Sequence, residues 1–68
     1  MSKYLELAKS KSQKLLVVDA TLAERVRLSV RLQLEGFIVC TAANMAEAVA
    51  IVQQEGLPHL ALIDIDLL

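Results

Sequence analysis

From Arg25 to Gly36 the chain reads RVRLSVRLQLEG, and the fold turns on whether this stretch is a strand or a helix. Polar and apolar residues alternate with period two, the mark of a half-buried strand, and Glu35-Gly36 could close a hairpin. Three observations favour a helix instead. Thr21 followed by Glu24 makes a capping box just upstream. Leu and Arg are strong helix formers. About fifteen residues between two apolar runs also suits a crossover between parallel strands. Wound as a helix, the alternation splits into two stripes, Leu22, Val26, Val30 and Leu34 on one side and Leu28 and Leu32 nearly opposite. A helix lying on a sheet buries only one stripe there, so the other is expected to be a contact surface.

Outward from this segment, the chain alternates short apolar runs with helical ones. Upstream, Lys14 to Asp19 reads KLLVVD, four consecutive apolar residues ending in an acid, as in a strand buried on both faces. Downstream, Gly36 supplies a helix stop and Phe37 to Thr41 (FIVCT) reads as a second strand. Asn44 and Glu47 make a second cap for a helix over Met45 to Glu55, which Gly56 and Pro58 end. Leu60 to Ile63 is the third strand. The order β-α-β-α-β predicts an α/β fold with parallel strands, and right-handed crossovers give the sheet order 2-1-3. Residues Met1 to Ser12 are polar with a weak helical stripe (Tyr4, Leu5, Ala8), so 1–13 is read as a tail or short helix and 14–68 as the domain.

The composition bounds the functions open to such a chain. Its 68 residues are enough for one small domain, and they are 56% hydrophobic with a formal net charge of −1. At this length only about 60% of the unfolded chain's surface is buried on folding. A mean hydropathy of +0.53 is therefore high for a monomer, and some apolar surface is expected to be covered by a second chain or by further residues. The near-neutral charge gives no electrostatic case for nucleic acid. One cysteine, Cys40, excludes an intrachain disulfide and a cysteine-cluster metal site. The charged N-terminal stretch lacks the pattern of a secretory signal, and no run of 18 apolar residues suggests a membrane span, so a cytoplasmic setting is expected. Gly36 and Gly56 are the only glycines, which rules out a Gly-rich nucleotide loop.

The chemistry is expected at the strand ends. In an open parallel sheet, ligands bind beyond the carboxyl ends of the strands. Asp19 follows the first strand and Asp64 the third, so the order 2-1-3 brings their carboxylates to one rim. Clustered oxygens without sulfur or imidazole suit a hard cation such as Mg²⁺.

The ordered series LLVVDA, LEGFIVCTAAN, MAEAVAIVQQEG and LPHLALIDIDLL resembles the first half of a response-regulator receiver domain of the chemotaxis-regulator type, over Lys14 to Leu68. That resemblance implies a flavodoxin-like, doubly wound half-domain that stops after strand three. It also implies two-component signal transduction, a phosphorelay in which Asp64 accepts a phosphoryl group from a histidine kinase or phosphotransfer protein. Asp19 would belong to the acidic pair that holds Mg²⁺, and Asp66 would offer its backbone carbonyl to the metal. Three departures carry consequences. Ala20 stands where the family has a second acid, which implies weakened Mg²⁺ binding. Leu68 stands where a proline is common. The family's later Ser/Thr and Lys have no counterpart in these residues, which removes groups that neutralise phosphoryl charge.

Other residues read more simply. Cys40 is a small apolar core residue, and His59, after Pro58, has a surface or turn role. Asp66 by itself is a loop acid. Arg25, Arg27 and Arg31 form a solvated helix face partly paired with Glu24 and Glu35. Two other functions compete with phosphorelay signalling. One is a non-phosphorylated pseudo-receiver acting as an interaction module, a homo-oligomer formed through the first helix or the unpaired edge of the third strand. The other is a haloacid-dehalogenase-type phosphatase, suggested by DID after an apolar strand. It is disfavoured because Leu68 stands where that motif has Thr or Val. The chain is accordingly read as a non-enzyme.

Overall fold

The computed structural model describes residues 13–68, so the reading of residues 1–12 as a tail or helix lies outside the described part. Three strands, β1 (Lys14–Val18), β2 (Ile38–Ala42) and β3 (Leu60–Ile63), form one sheet in the order β2-β1-β3. Both pairings are parallel, with Lys14 beside Ile38 and Leu15 beside Leu60 at the start of each ladder. The connections are helical, α1 (Leu22–Leu34) and α2 (Met45–Glu55), and a single 3₁₀ turn covers Ile65–Leu67. The α/β class, the parallel order and the helical identity of RVRLSVRLQL agree with expectation. The second strand lies one residue later than predicted.

Local chemistry sets the helix ends. Gly36, at φ 99°, lets Phe37 N–H reach the Leu32 carbonyl and Gly36 N–H reach that of Gln33, which ends α1 in a Schellman turn. At the start of α2, Asn44 Oδ1 accepts from Glu47 N–H at 2.9 Å, and Glu47 Oε1 accepts from Ala43 N–H at 2.8 Å. That is a reciprocal cap reaching one residue further back than the usual box. The box predicted at α1 does not form. Thr21 holds the N-cap position without a side-chain bond, its N–H donates to Asp19 Oδ1, and Glu24 pairs with Arg27. A closer acceptor, Asp19, has taken the loop.

Pleating divides the sheet between the two helices. Leu16 and Val18 face α2 and join Ala42 and Ala48 in the main cluster, with Cys40, Ile51, Val52, Ile63 and Leu67 packed around it. Leu15 and Val17, also buried, point the other way, where Val17 and Leu28 of α1 line one groove. Both helices rest chiefly on β1 and β2. As a result β1 is sealed, with Val17 and Val18 each 1% exposed, whereas Leu60 and Leu62 of β3 remain 48% and 46% exposed. The contact stripe expected on α1 is the larger one. Leu28 and Leu32 are half-buried, while Leu22 and Leu34 stay 64% and 80% exposed, with Val26 and Val30 between them also open.

Candidate functional site at the strand ends

Each acid is the first residue beyond its strand, and the backbone ladder sets its position. Asp19 N–H donates to the Ala42 carbonyl at 3.0 Å, continuing the β1–β2 ladder by one rung. Asp64 N–H donates to the Val18 carbonyl at 2.9 Å, doing the same for β3 on β1. Two strands running in one direction at adjacent positions thus release their carboxylates at the same rim. Asp19 and Asp64 both line one open groove of about 360 Å³, together with Val17, Val18, Leu28, Leu62 and Ile63. Both side chains are half-buried.

Each carboxylate is also oriented by the turn it begins. Asp19 Oδ1 accepts from Thr21 N–H at 2.9 Å, and Asp64 Oδ1 accepts from Asp66 N–H at 3.0 Å. These are Asx turns, in which an acid satisfies the backbone two residues on. In each, the bonds leave Oδ2 without a partner among the described residues. Asp66 lies in the 3₁₀ turn with an exposed side chain, its N–H spent on Asp64.

The donors suit Mg²⁺ in kind, being hard oxygens at one rim, but they are few. Among the described residues no three His, Cys, Asp or Glu side chains gather into a metal-holding group. Ala20, exposed beside Asp19, adds no donor. A cation held by Asp19 and Asp64 would keep several of its own waters, as Mg²⁺ readily does. No Lys or Arg lines the groove among the described residues.

Arg25 has a role that helix-face reasoning missed. Its Nη1 donates to the Asp19 carbonyl at 2.8 Å and to the Ala20 carbonyl at 3.2 Å, holding the loop after β1 against α1. Of the pairing expected between the three arginines and Glu24 and Glu35, the Arg27–Glu24 pair forms, and Arg25 turns to the loop instead. Arg25, Leu28 and Leu32 share one side of the helix, at the i, i+3, i+7 spacing, and this spacing was the available signal. His59 is structural. Its Nδ1 accepts from Lys14 N–H at 2.9 Å while its own N–H donates to the Lys14 carbonyl at 3.0 Å, fastening the start of β3 to β1. The Cys40 thiol touches Glu55 Oε1 at 3.6 Å, and burial together with that carboxylate pushes its pKa up.

No helix among the described residues is long and apolar enough to cross a membrane. No family model matches the chain, and searches of curated proteins and of solved structures give no match either.

Proposed function

We propose that this chain is a receiver-type signalling module in which Asp64 is the phosphoacceptor. The observation that carries this reading is the shared groove of Asp19 and Asp64, one residue past the ends of neighbouring parallel strands. A carboxylate held at a rim, with one oxygen bonded to the backbone and the other open, is poised to act as a nucleophile. In the transfer, an Asp64 oxygen attacks the phosphorus of a phosphohistidine on a histidine kinase or phosphotransfer protein. The P–N bond breaks, the P–O bond of an acyl phosphate forms, and the imidazole leaves with a proton. Asp19 and Asp64, with the Asp66 carbonyl, would hold Mg²⁺, which supplies charge neutralisation to the phosphoryl oxygens. The setting that goes with such partners is the cytoplasm.

A second reading has its own observation. The groove has no cation among its described lining residues, and Ala20 removes a metal ligand that the family resemblance implies. On this reading the fold serves as a non-phosphorylated interaction module.

The two separate in one experiment. The chain is incubated with Mg²⁺ and a small acyl-phosphate or phosphoramidate donor, then weighed by mass spectrometry. A hydroxylamine-labile phosphoryl adduct that Asp64→Asn abolishes supports the phosphoacceptor. An unmodified chain, at donor levels that label a working receiver, supports the interaction module.

A further inference from the structure

The two ends of β3 are tied to β1 in different ways. At the far end the Asp64 N–H meets the Val18 carbonyl, an ordinary backbone rung. At the near end the Lys14 N–H donates to an imidazole nitrogen, His59 Nδ1, at 2.9 Å, while the Lys14 carbonyl accepts from the His59 N–H at 3.0 Å. A carbonyl keeps its lone pairs at every pH, whereas Nδ1 keeps its own only while the ring is neutral. We propose that His59 is a pH-sensitive clip, which holds the start of β3 on β1 while its ring is neutral and releases it when Nδ1 takes a proton. The inference is independent of the role given to Asp64.

The surroundings decide what a proton does there. Nδ1 accepts only with the ring proton on Nε2, and a second proton on Nδ1 sets one N–H against another. Lys14 then loses its acceptor. The strand that depends on it is short, four residues from Leu60 to Ile63, and its ladder to β1 is its chief tie among the described residues. The open strand start therefore takes up the proton more readily than the closed one, and acid favours opening.

Neighbouring charges do not rescue the contact. His59 lines the groove between α2 and β3, where no charged side chain joins it from β1, α2 or β3 among the described residues. On β1 the closest charged residue is Lys14 itself, whose ammonium opposes a second positive charge. On α2 it is Glu55, which lines a different hollow with Lys14 and Pro58 and accepts from the Cys40 thiol. A protonated ring thus has no carboxylate in its groove to hold it in place. Because His59 is exposed, water replaces part of the lost bond, so the effect is local and several-fold.

His59 is the only histidine, so a response in the imidazole range is assigned to one side chain. Amide hydrogen exchange is followed by nuclear magnetic resonance on the full chain between about pH 8 and about pH 5, each rate divided by its random-coil value. The Lys14 amide is expected to be protected at the upper end and to lose that protection several-fold at the lower. The Asp19 amide, bonded to the Ala42 carbonyl, is expected to stay protected throughout. His59→Asn, whose side-chain oxygen accepts without titrating, should hold Lys14 at both ends of the range. His59→Leu, with no acceptor, should leave it unprotected at both, with circular dichroism checking the fold of each variant. Unchanged Lys14 protection across the range in the parent chain overturns the proposal. So does the same acid loss in His59→Asn. Acid loss that extends to Asp19 also overturns it, because the whole sheet is then opening. Ring nitrogen shifts that place the neutral proton on Nδ1 overturn it as well.

Discussion

The Asp64 amide donates to the Val18 carbonyl at 2.9 Å, the last rung between β3 and β1. That bond decides the site. It sets Asp64 one residue past the pairing of Val18 with Ile63, while Asp19 stands one residue past the pairing of Val18 with Ala42. Both acids are thus counted from the same residue on the central strand. A one-residue register slip of β3 would turn its side chains to the opposite face and break up the shared groove.

On the proposed reading, the two acids of that groove are few donors for a cation. Ala20→Asp adds a third carboxylate at an exposed position next to Asp19, so Mg²⁺ is expected to bind more tightly by calorimetric titration. Asp19→Asn is expected to weaken it. Equal affinities across the three proteins would show that the cation does not use this rim.

The two helix starts are expected to respond differently to loss of the cap. Asn44→Ala removes the bond to Glu47 N–H and should destabilise the chain by about 1 kcal/mol. Thr21→Ala removes no side-chain cap bond, and its effect should stay within about 0.5 kcal/mol. Urea denaturation midpoints measure both, and equal losses would contradict the hydrogen bonding at α1.

Core truncation should be severe on β1 and mild on the outer stripe of α1. Leu16→Ala opens a cavity in the main cluster and is expected to cost about 2–5 kcal/mol. Typical total stabilities are about 5–15 kcal/mol, and small domains lie low in that range, so this variant should be largely unfolded by circular dichroism at 25 °C. Leu34, 80% exposed, should tolerate Ala within about 0.5 kcal/mol.

The Cys40 thiol is expected to alkylate slowly at neutral pH, because burial and the Glu55 carboxylate raise its pKa and the thiolate is the reacting form. Glu55→Gln removes a negative neighbour and should speed iodoacetamide labelling. The thiol loses its proton more readily in the unfolded chain than in the native one. Its contribution to stability is therefore full below the unfolded pKa and is lost as pH rises through the higher native value. Denaturation midpoints in the alkaline range should fall less in Cys40→Ala than in the parent chain.

Much of this was legible because it rests on local signals. The Gly36 stop, the Asn44–Glu47 cap and the four-residue apolar runs each act within a few residues of chain. Their alternation, with right-handed crossovers, is enough to order the sheet as 2-1-3 and to send two acids to one rim. At α1 the local reading was right about the helix and wrong about its first bonds, since Asp19 Oδ1 takes the Thr21 N–H that a capping-box Glu24 would have accepted. The Asx turn is itself a local signal, Asp19 two residues before Thr21, which the capping-box reading passed over.

By itself the sequence determined the kinds of element, their order and the chemical types at the strand ends, because propensity, capping and hydrophobic period are properties of neighbouring residues. Tertiary structure alone decided which side of α1 meets the sheet. The Arg25 bonds to the carbonyls of residues 19 and 20 lock the helix with Leu28 and Leu32 inward, leaving the longer apolar stripe outside. It alone also left Leu60 and Leu62 of β3 about half exposed among the described residues. The rotation of a helix and the reach of its cover depend on shape fit between segments far apart in the chain, which local sequence does not encode.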